Sequence, residues 1–424
     1  MRIFVAGASG FIGSALVEAL RAGGHELRLG GRDPAALRAA WPECEAVAVD
    51  YSRDHDPAAW RERVRGCGAV VNLVGIFAEG AGIRFEDVHV RAPVALFEGC
   101  RQAGVSRVVQ VSALGAGRPG APAFLASKER ADAALLAQPL DGRVLRPSLV
   151  FGAQGTSTRL FLQLALLPLL PLPGGGRQRV QPVDLSDLVD AIVHSLAGVP
   201  AEPVLAVVGP RALRLREYLE ALRRGLGGGR LRVMPVPEVL LAMLARLSGR
   251  LAPFARREAL ELLERGNCAD AGPLAELLGR QPRAADAFIR PAQRAMLRRQ
   301  AALASWLPLL RLSVALVWLW TAAVSLGLYP RADSLDLLAR AGVAEEWRPA
   351  ALYLGAGLDL AFGLLTLFAP RRWRLYGAQA LLVLAYMAIL SWRLPEFWLH
   401  PFGPLLKNLP LLAALGLLAH AEPP

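Results

Sequence analysis

The sequence predicts two architectures in one chain: an α/β doubly wound parallel sheet with a small accessory lobe, then an all-α bundle of four transmembrane helices. Three observations carry this. A short apolar strand at the start runs into Gly7-Ala-Ser-Gly10-Phe-Ile-Gly13 and a helix-period stretch. Strand-like and helix-like patterns then alternate to about residue 150. Beyond Trp306 the apolar runs lengthen to about 20 residues, four in succession, each enough to cross about 30 Å of hydrocarbon.

The N-terminal part reads in order. Residues 2–6, 27–30, 45–49, 69–74, 107–112 and 143–146 are strand-like, with helical patterns between them that include 86–103 and 126–137. Strand, glycine-rich turn and helix in that order suit a dinucleotide. Gly7 lets the chain turn, Gly10 lets backbone N–H groups approach a pyrophosphate, and Gly13 lets helix pack on strand. Ala8, Ser9, Phe11 and Ile12 complete the phosphate-facing turn, at a helix N-terminus that favours anions. At the tip of the second strand, where an acid would bond a ribose 2′-hydroxyl, the chain carries Arg32, with Arg28 nearby. A guanidinium there suits a 2′-phosphate, so NADP(H) is expected over NAD(H). Asp50 and Tyr51 are placed to border the adenine, and Asn72, Val74 and Gly75 to line the cofactor.

Composition narrows the function. Hydrophobic residues make up 54% of 424, and the mean hydropathy is +0.35, high for a soluble enzyme. The net charge of +12 would fit nucleic acid or a membrane surface. The basic residues are scattered, without a basic block or interleaved aromatics, so nucleic acid is not expected. Cys44, Cys67, Cys100 and Cys268 show no C-x-x-C spacing and the six histidines are dispersed, so no metal site is expected and the thiols read as buried. The start of the chain reads as a strand rather than a signal peptide. Of 48 basic residues only Lys128 and Lys407 are lysines.

Taken together, Gly7-Ala-Ser-Gly10-Phe-Ile-Gly13, Val71-Asn-Leu-Val-Gly75, Val109-Gln-Val-Ser112-Ala, Ser127-Lys128 and Arg146-Pro-Ser-Leu-Val-Phe151-Gly resemble an atypical short-chain dehydrogenase/reductase. The resemblance is to the branch containing the accessory NADPH-binding subunit of respiratory complex I. It covers about residues 1–290 and implies a Rossmann domain with a small substrate-side lobe at about 203–290. The family's Tyr-x-x-x-Lys reads here Phe124-Leu-Ala-Ser127-Lys128. Lys128 and Ser112 are retained near the site, but Phe124 carries no proton. The resemblance therefore implies Lys128 as a ribose anchor and leaves catalytic residues unassigned.

Residues 203–209 read as a strand, and Leu215–Leu226, Val236–Leu247 and Arg257–Arg265 as helices. Leu160–Pro173 reads either as an amphipathic lid or as buried core. After a linker at 291–305 the membrane domain occupies about 306–421, with spans at 307–329, 350–369, 374–394 and 402–420. Most of its tryptophans lie near span ends. Arg294, Arg298, Arg299 and Arg311 flank the first span; Arg371, Arg372 and Arg374 crowd the loop between spans two and three. Both regions, and hence the N-terminal domain and the C-terminus, are expected on the cytoplasmic side of a bacterial inner membrane. Asp359 in span two and Lys407 in span four are each costly in a bilayer; their depths from the outer face differ by about 6 Å, within reach of a lysine stem, so the two either pair or Lys407 snorkels to the headgroups and Asp359 meets only water or Asn408. Arg311-Leu-Ser-Val-Ala-Leu-Val-Trp318 and Gly403-Pro-Leu-Leu-Lys407-Asn408-Leu-Pro410 resemble the DoxX-like membrane family, which implies a quinone or a membrane redox partner. Two functions stay open: an NADPH-dependent oxidoreductase with a lipophilic acceptor, or a non-enzymatic NADPH-binding accessory or sensor module. A sugar-nucleotide epimerase is disfavoured by Phe124.

Overall fold

The computed structural model describes residues 1–80, 82–198, 202–237, 266–369 and 372–422. It has two compact units, Met1–Ala301 and Ala302–Pro424.

The first unit is built on a sheet of β1 (Arg2–Ala6), β2 (Glu26–Gly31), β3 (Glu45–Ala48), β4 (Ala69–Asn72), β5 (Arg107–Val111), β6 (Asp141–Pro147) and the strand Val204–Val207. All neighbours are parallel, in the spatial order Val204–Val207, β6, β5, β4, β1, β2, β3. Ile3, Phe4, Val5 and Ala6 are fully buried, as a strand covered on both faces requires. The order reverses between β1 and β4, the switch point where such sheets leave a crevice at their carboxyl ends.

Helices cover both faces. α1 (Phe11–Ala22) follows β1 and α2 (Pro34–Ala40) follows β2; α3 (Pro57–Val64), α4 (Ala92–Ala103) and α5 (Ala123–Leu136) follow in the chain. Asp33 accepts hydrogen bonds from the N–H groups of Ala35 and Ala36, and Asp56 from that of Ala58, each with proline at the first helical position. One core lies under α1, with α7 (Leu185–Leu196) and the helix Gly272–Leu278. The other is drawn from β1, α3 and α4 and centres on Trp60, whose ring meets Phe4 and Tyr51 edge-on.

The small lobe differs from the expected 203–290. Its core joins Phe151, Phe161, Leu172 and Val180 to residues of α8 (Leu215–Gly225) and to Phe288, so it draws on residues about 149–180 as well. Val204–Val207 belongs instead to the edge of the main sheet. Leu160–Pro173 resolves into buried core: it contains the end of α6 (Thr156–Leu166), then the strand Leu170–Pro173. Val236 ends the strand Val233–Val236, while residues 238–247 and 257–265 of the two expected helices, and Arg371, lie outside the described residues. The expected linker is helical, because residues 291–305 are rich in Ala, Arg, Leu and Gln without glycine; they open the helix Pro291–Ala323.

Among the described residues three helices are long and apolar enough to cross a membrane: Pro291–Leu328, Glu345–Phe368 and Trp373–Arg393. The fourth, Asn408–Ala421, is shorter, about 21 Å at 1.5 Å per residue. It starts later than the expected 402 because Pro401, Gly403 (φ 51°) and Pro404 interrupt the apolar run. The loop after the first span forms a helix, Arg331–Arg340, that periodicity did not predict.

Polarity in the second unit is inverted. Leu354, Phe368, Leu381 and Trp392 point outward and are 70% exposed or more, while Asp359, Thr366 and Gln379 are buried. Only a surrounding apolar solvent makes that arrangement favourable. Inside, the Trp318 indole N–H donates to Gln379 Oε1 (3.1 Å), and Gln379 Nε2 donates to Thr366 Oγ1 (2.8 Å). At one end Glu422 lies 3.6 Å from Arg311 and 3.5 Å from Arg372 and accepts from the Tyr376 hydroxyl. Arg311 of the first long helix and Glu422 at the end of the last helix thus meet. The expected Asp359–Lys407 pair does not form. Asp359 is 5% exposed with Oδ1 unpartnered, whereas Lys407 is exposed at the N-cap of the last helix. The depth arithmetic assumed helix from 402 onward, and residues 402–407 are not helical.

Candidate nucleotide site

The crevice at the carboxyl ends of β1 and β4 begins with the glycine turn. Gly7 has φ +83°, and its N–H donates to the Gly30 carbonyl at 2.9 Å. A Cβ on Gly13 would stand 2.1 Å from the Gly7 carbonyl oxygen and 2.8 Å from that of Ala8. Gly10 caps α1 without any side-chain hydrogen bond, so the first-turn N–H groups of Phe11, Ile12 and Gly13 keep their capacity for an anion. Ala8 is buried beneath the turn, Ser9 and Gly10 are exposed, and the Phe11 ring lies against Gly152 and Gly155.

Around this turn the predicted residues separate. Arg32 is exposed just past β2, without an ion pair among the described residues, close enough to Asp50 for its charge to act there. The Asp50 carboxyl is held below its ordinary range first by the Ser52 hydroxyl, with Arg53 and Arg32 adding to it. Arg28 is not available. Its guanidinium is bound to Glu45 (2.8 Å) and to the carbonyls of Arg63 (2.7 Å) and Arg65 (3.1 Å). Tyr51 is 4% exposed, and its hydroxyl donates to Asn72 Oδ1 at 2.7 Å. Asn72 is fully buried, donates to Gln110 (2.6 Å) and accepts from the Val74 N–H (3.2 Å). Both side chains thus brace the loop after β4 from within.

Farther along, α5 presents Phe124 and Lys128 one turn apart. The Lys128 ammonium is buried against the carbonyls of Val74 (3.2 Å) and Val111 (3.5 Å), and burial lowers its pKa to about 8. A Cβ on Gly75 would come within 2.9 Å of that nitrogen, so glycine keeps the approach to it open. The Phe124 ring sits among Phe77 (5.3 Å), His89 (5.6 Å) and Phe85 (6.0 Å). His89 comes from a π-turn, Glu86–Arg91, and periodicity gave no sign of it. Its Nε2 accepts the Ile76 N–H (3.0 Å), so Nδ1 carries the proton and faces Ser127 Oγ (2.9 Å). Burial, then the Lys128 charge, push His89 down to about 3, so it stays neutral.

The Ser112 hydroxyl is engaged within the fold, donating to Asp132 Oδ2 at 2.8 Å. Asp132 is fully buried, one turn beyond Lys128, and also accepts from Arg146 Nε (3.0 Å). Burial raises it to about 6 despite Ser112 and Arg146. Asp132 and His89 were missed from sequence. The Lys128-x-x-x-Asp132 spacing on one helix face was the available signal for the first.

The site therefore has a glycine turn with free first-turn N–H groups and a buried ammonium held by two backbone carbonyls. It has no acid at the Phe124 position. Among the described residues no group of three His, Cys, Asp or Glu side chains could hold a metal.

Comparisons with known proteins agree with this fold. Residues 7–163 match the NAD(P)H-binding family and residues 315–416 the DoxX-like family. The chain is 28% identical over 289 residues to the mitochondrial NADH dehydrogenase [ubiquinone] 1 alpha subcomplex subunit 9 of Rattus norvegicus, covering 66% of this chain and 76% of that protein. It is 30% identical over 287 residues to the 3-diazoavenalumate denitrifying reductase of a Streptomyces species, covering 59% and 88%. Among solved structures, a nucleoside-diphosphate-sugar epimerase from Staphylococcus aureus shares the fold at 17% identity and a TM-score of 0.55, covering 68% of this chain and 99% of that one. The chain belongs to the atypical short-chain dehydrogenases/reductases, with an NAD(P)H-binding domain like that of the complex I accessory subunit and a C-terminal DoxX-like domain.

Proposed function

We propose that the protein is a membrane-anchored NADP(H)-binding module of a redox assembly that has kept nucleotide binding and given up carbonyl reduction. One observation carries this: Phe124 stands one turn before Lys128, packed among aromatic rings, where the chemistry needs a proton donor. Neither neighbour replaces it. His89 is neutral with both nitrogens engaged, and the Ser112 hydroxyl is committed to Asp132.

The residues present fit the nucleotide. The turn Gly7–Gly13 and the uncapped α1 N-terminus receive the pyrophosphate, Arg32 a 2′-phosphate, and Lys128 the nicotinamide ribose hydroxyls. When bound, the nicotinamide would supply a hydride at the carboxyl edge of the sheet. The relatives' membership of a ubiquinone-linked dehydrogenase supports a membrane redox partner. The arginines around the spans support a cytoplasmic N-terminal unit and C-terminus in a bacterial inner membrane.

A second reading is hydride delivery to a lipophilic acceptor such as a quinone. Phe77, 47% exposed beside Phe124, favours it by giving the site an apolar mouth. Purified full-length protein in lipid discs separates the two. Calorimetric NADPH binding without oxidation, with or without a quinone analogue, is expected for the module. Quinone-dependent NADPH oxidation would select the second reading. Failure to bind either nucleotide would overturn both.

A further inference from the structure

The small lobe carries a basic cavity that nucleotide binding does not use. Its volume is about 760 Å³, and its wall holds Arg177, Arg179, Arg214 and Arg216 with one carboxylate, Glu217. A second cavity of about 390 Å³ shares Arg177 and Arg216.

The backbone explains the convergence. Residues 179–180 pair antiparallel with 213–214, so Arg179 stands directly opposite Arg214. In the flanking chain Arg177 and Arg216 repeat the pattern two residues away. Val180 and Leu215 turn inward and are buried at 1% and 3%, while all four arginines are exposed. Four like charges are thus gathered on one side, including an opposed cross-strand pair, an arrangement that is destabilising by itself. The neutralising carboxylate is largely spent: Glu217 Oε2 accepts the Arg214 backbone N–H at 2.7 Å, and its Oε1 lies 4.0 Å from that guanidinium. Among the described residues Arg177 and Arg216 have no hydrogen bond or ion pair from their side chains. α8 also starts here, adding the positive end of its dipole.

We infer that this cavity is a binding site for a phosphate-bearing anion, held by the Arg177, Arg179, Arg214 and Arg216 guanidinium groups. Planar forks match phosphate oxygens two at a time, and a concave wall with three unneutralised charges favours a ligand of more than one negative charge. The same chemistry is offered by the headgroups of anionic phospholipids and by free phosphorylated solutes.

The test uses the full-length chain in discs of purely zwitterionic lipid, saturated with NADPH so that the nucleotide site is filled. Inorganic pyrophosphate is titrated by calorimetry in one arm. In the other, binding to added phosphatidylglycerol vesicles is compared with binding to phosphatidylcholine vesicles. Wild type is expected to bind in at least one arm, with affinity falling as salt rises. Arg177→Gln/Arg216→Gln should weaken that binding at least tenfold without lowering the Tm. Pyrophosphate binding identifies a soluble ligand, and selectivity for phosphatidylglycerol alone identifies a headgroup. Arg61→Gln/Arg65→Gln, at two exposed positions on and just after α3, removes the same charge elsewhere. Binding in neither arm, or an equal loss in that control, would overturn the assignment.

Discussion

Gly13→Ala is the sharpest test of the nucleotide turn. The added Cβ would lie 2.1 Å from the Gly7 carbonyl oxygen, about 1.2 Å inside an ordinary C···O contact of about 3.3 Å. It would also meet the Ala8 oxygen at 2.8 Å and the Ala8 carbonyl carbon at 2.9 Å. All three are backbone atoms, so no side-chain rotation relieves the clash; α1 must lift from the turn. Overpacking costs about 1–3 kcal/mol where side chains can adjust, so about 3 kcal/mol or more is expected here. For a unit of this size that is a fall in Tm of about 6 °C or more. Lifting α1 also moves its N–H groups away from the pyrophosphate, so NADPH affinity should fall by at least about tenfold, or 1.4 kcal/mol. The control is Gly229→Ala, whose Cβ meets nothing within 4 Å and should change stability by no more than about 0.5 kcal/mol. Thermal unfolding followed by tryptophan fluorescence in lipid discs, with calorimetric NADPH titration, reads both effects. A Gly13→Ala protein matching the Gly229→Ala protein in Tm and affinity would refute the reasoning.

Four further outcomes are expected. Arg32→Ala should weaken NADPH by about 1–3 kcal/mol and spare NADH; equal losses in calorimetry would remove the 2′-phosphate assignment. Wild type should turn over a ketone and aldehyde panel negligibly. Phe124→Tyr alone should not restore turnover, because the Ser112 hydroxyl still donates to Asp132; robust reduction by either protein would contradict this. Lys128→Met should bind NADPH at least about tenfold more weakly, and wild-type affinity should decline as pH rises through about 8, where the ammonium loses its proton. An equal decline in the variant would place the titration elsewhere. Asp132, raised by burial to about 6, stabilises the fold below the ordinary aspartate range, and that contribution is lost as pH rises through 6. Asp132→Asn should remove a slope of up to about 1.4 kcal/mol per pH unit between about pH 4 and 6, measurable by denaturation at a pH series.

What could be read from the sequence was what adjacent residues encode. The Gly7–Gly13 turn and the Phe124–Lys128 spacing are contacts within a few residues, and the structure keeps both. Readings failed where a partner lies far along the chain. Arg28 sits in register with Glu45 of β3, and no local pattern announces that neighbour. Tyr51 is drawn inward by Trp60 and Asn72, not held at a surface. His89 reaches the site because a π-turn buries four consecutive residues, Asp87–Val90, where a helical period would bury residues three and four apart. The late start of the last helix is a different failure. Pro401, Gly403 and Pro404 were visible, but hydropathy counts composition and takes no account of the backbone.

The two halves of the site also differ in how they can be lost. The phosphate half is made of backbone: the Gly7 φ, the space at Gly13 and the N–H groups of α1. Any change that destroys it also strains the junction of β1 and α1, so the fold itself resists its loss. The proton half depends on side-chain hydroxyls, the first of them at the Phe124 position. Phe124 fills the same place and its ring packs against Phe77, Phe85 and His89, contacts that do not need a hydroxyl, so losing it carries no packing penalty that would oppose it. Ser112 then fits Asp132 and Lys128 keeps its carbonyls, and neither bond requires a substrate. A chain that needs only to hold a nucleotide can rest in this state, with the binding half retained by stability and the acid replaced by packing.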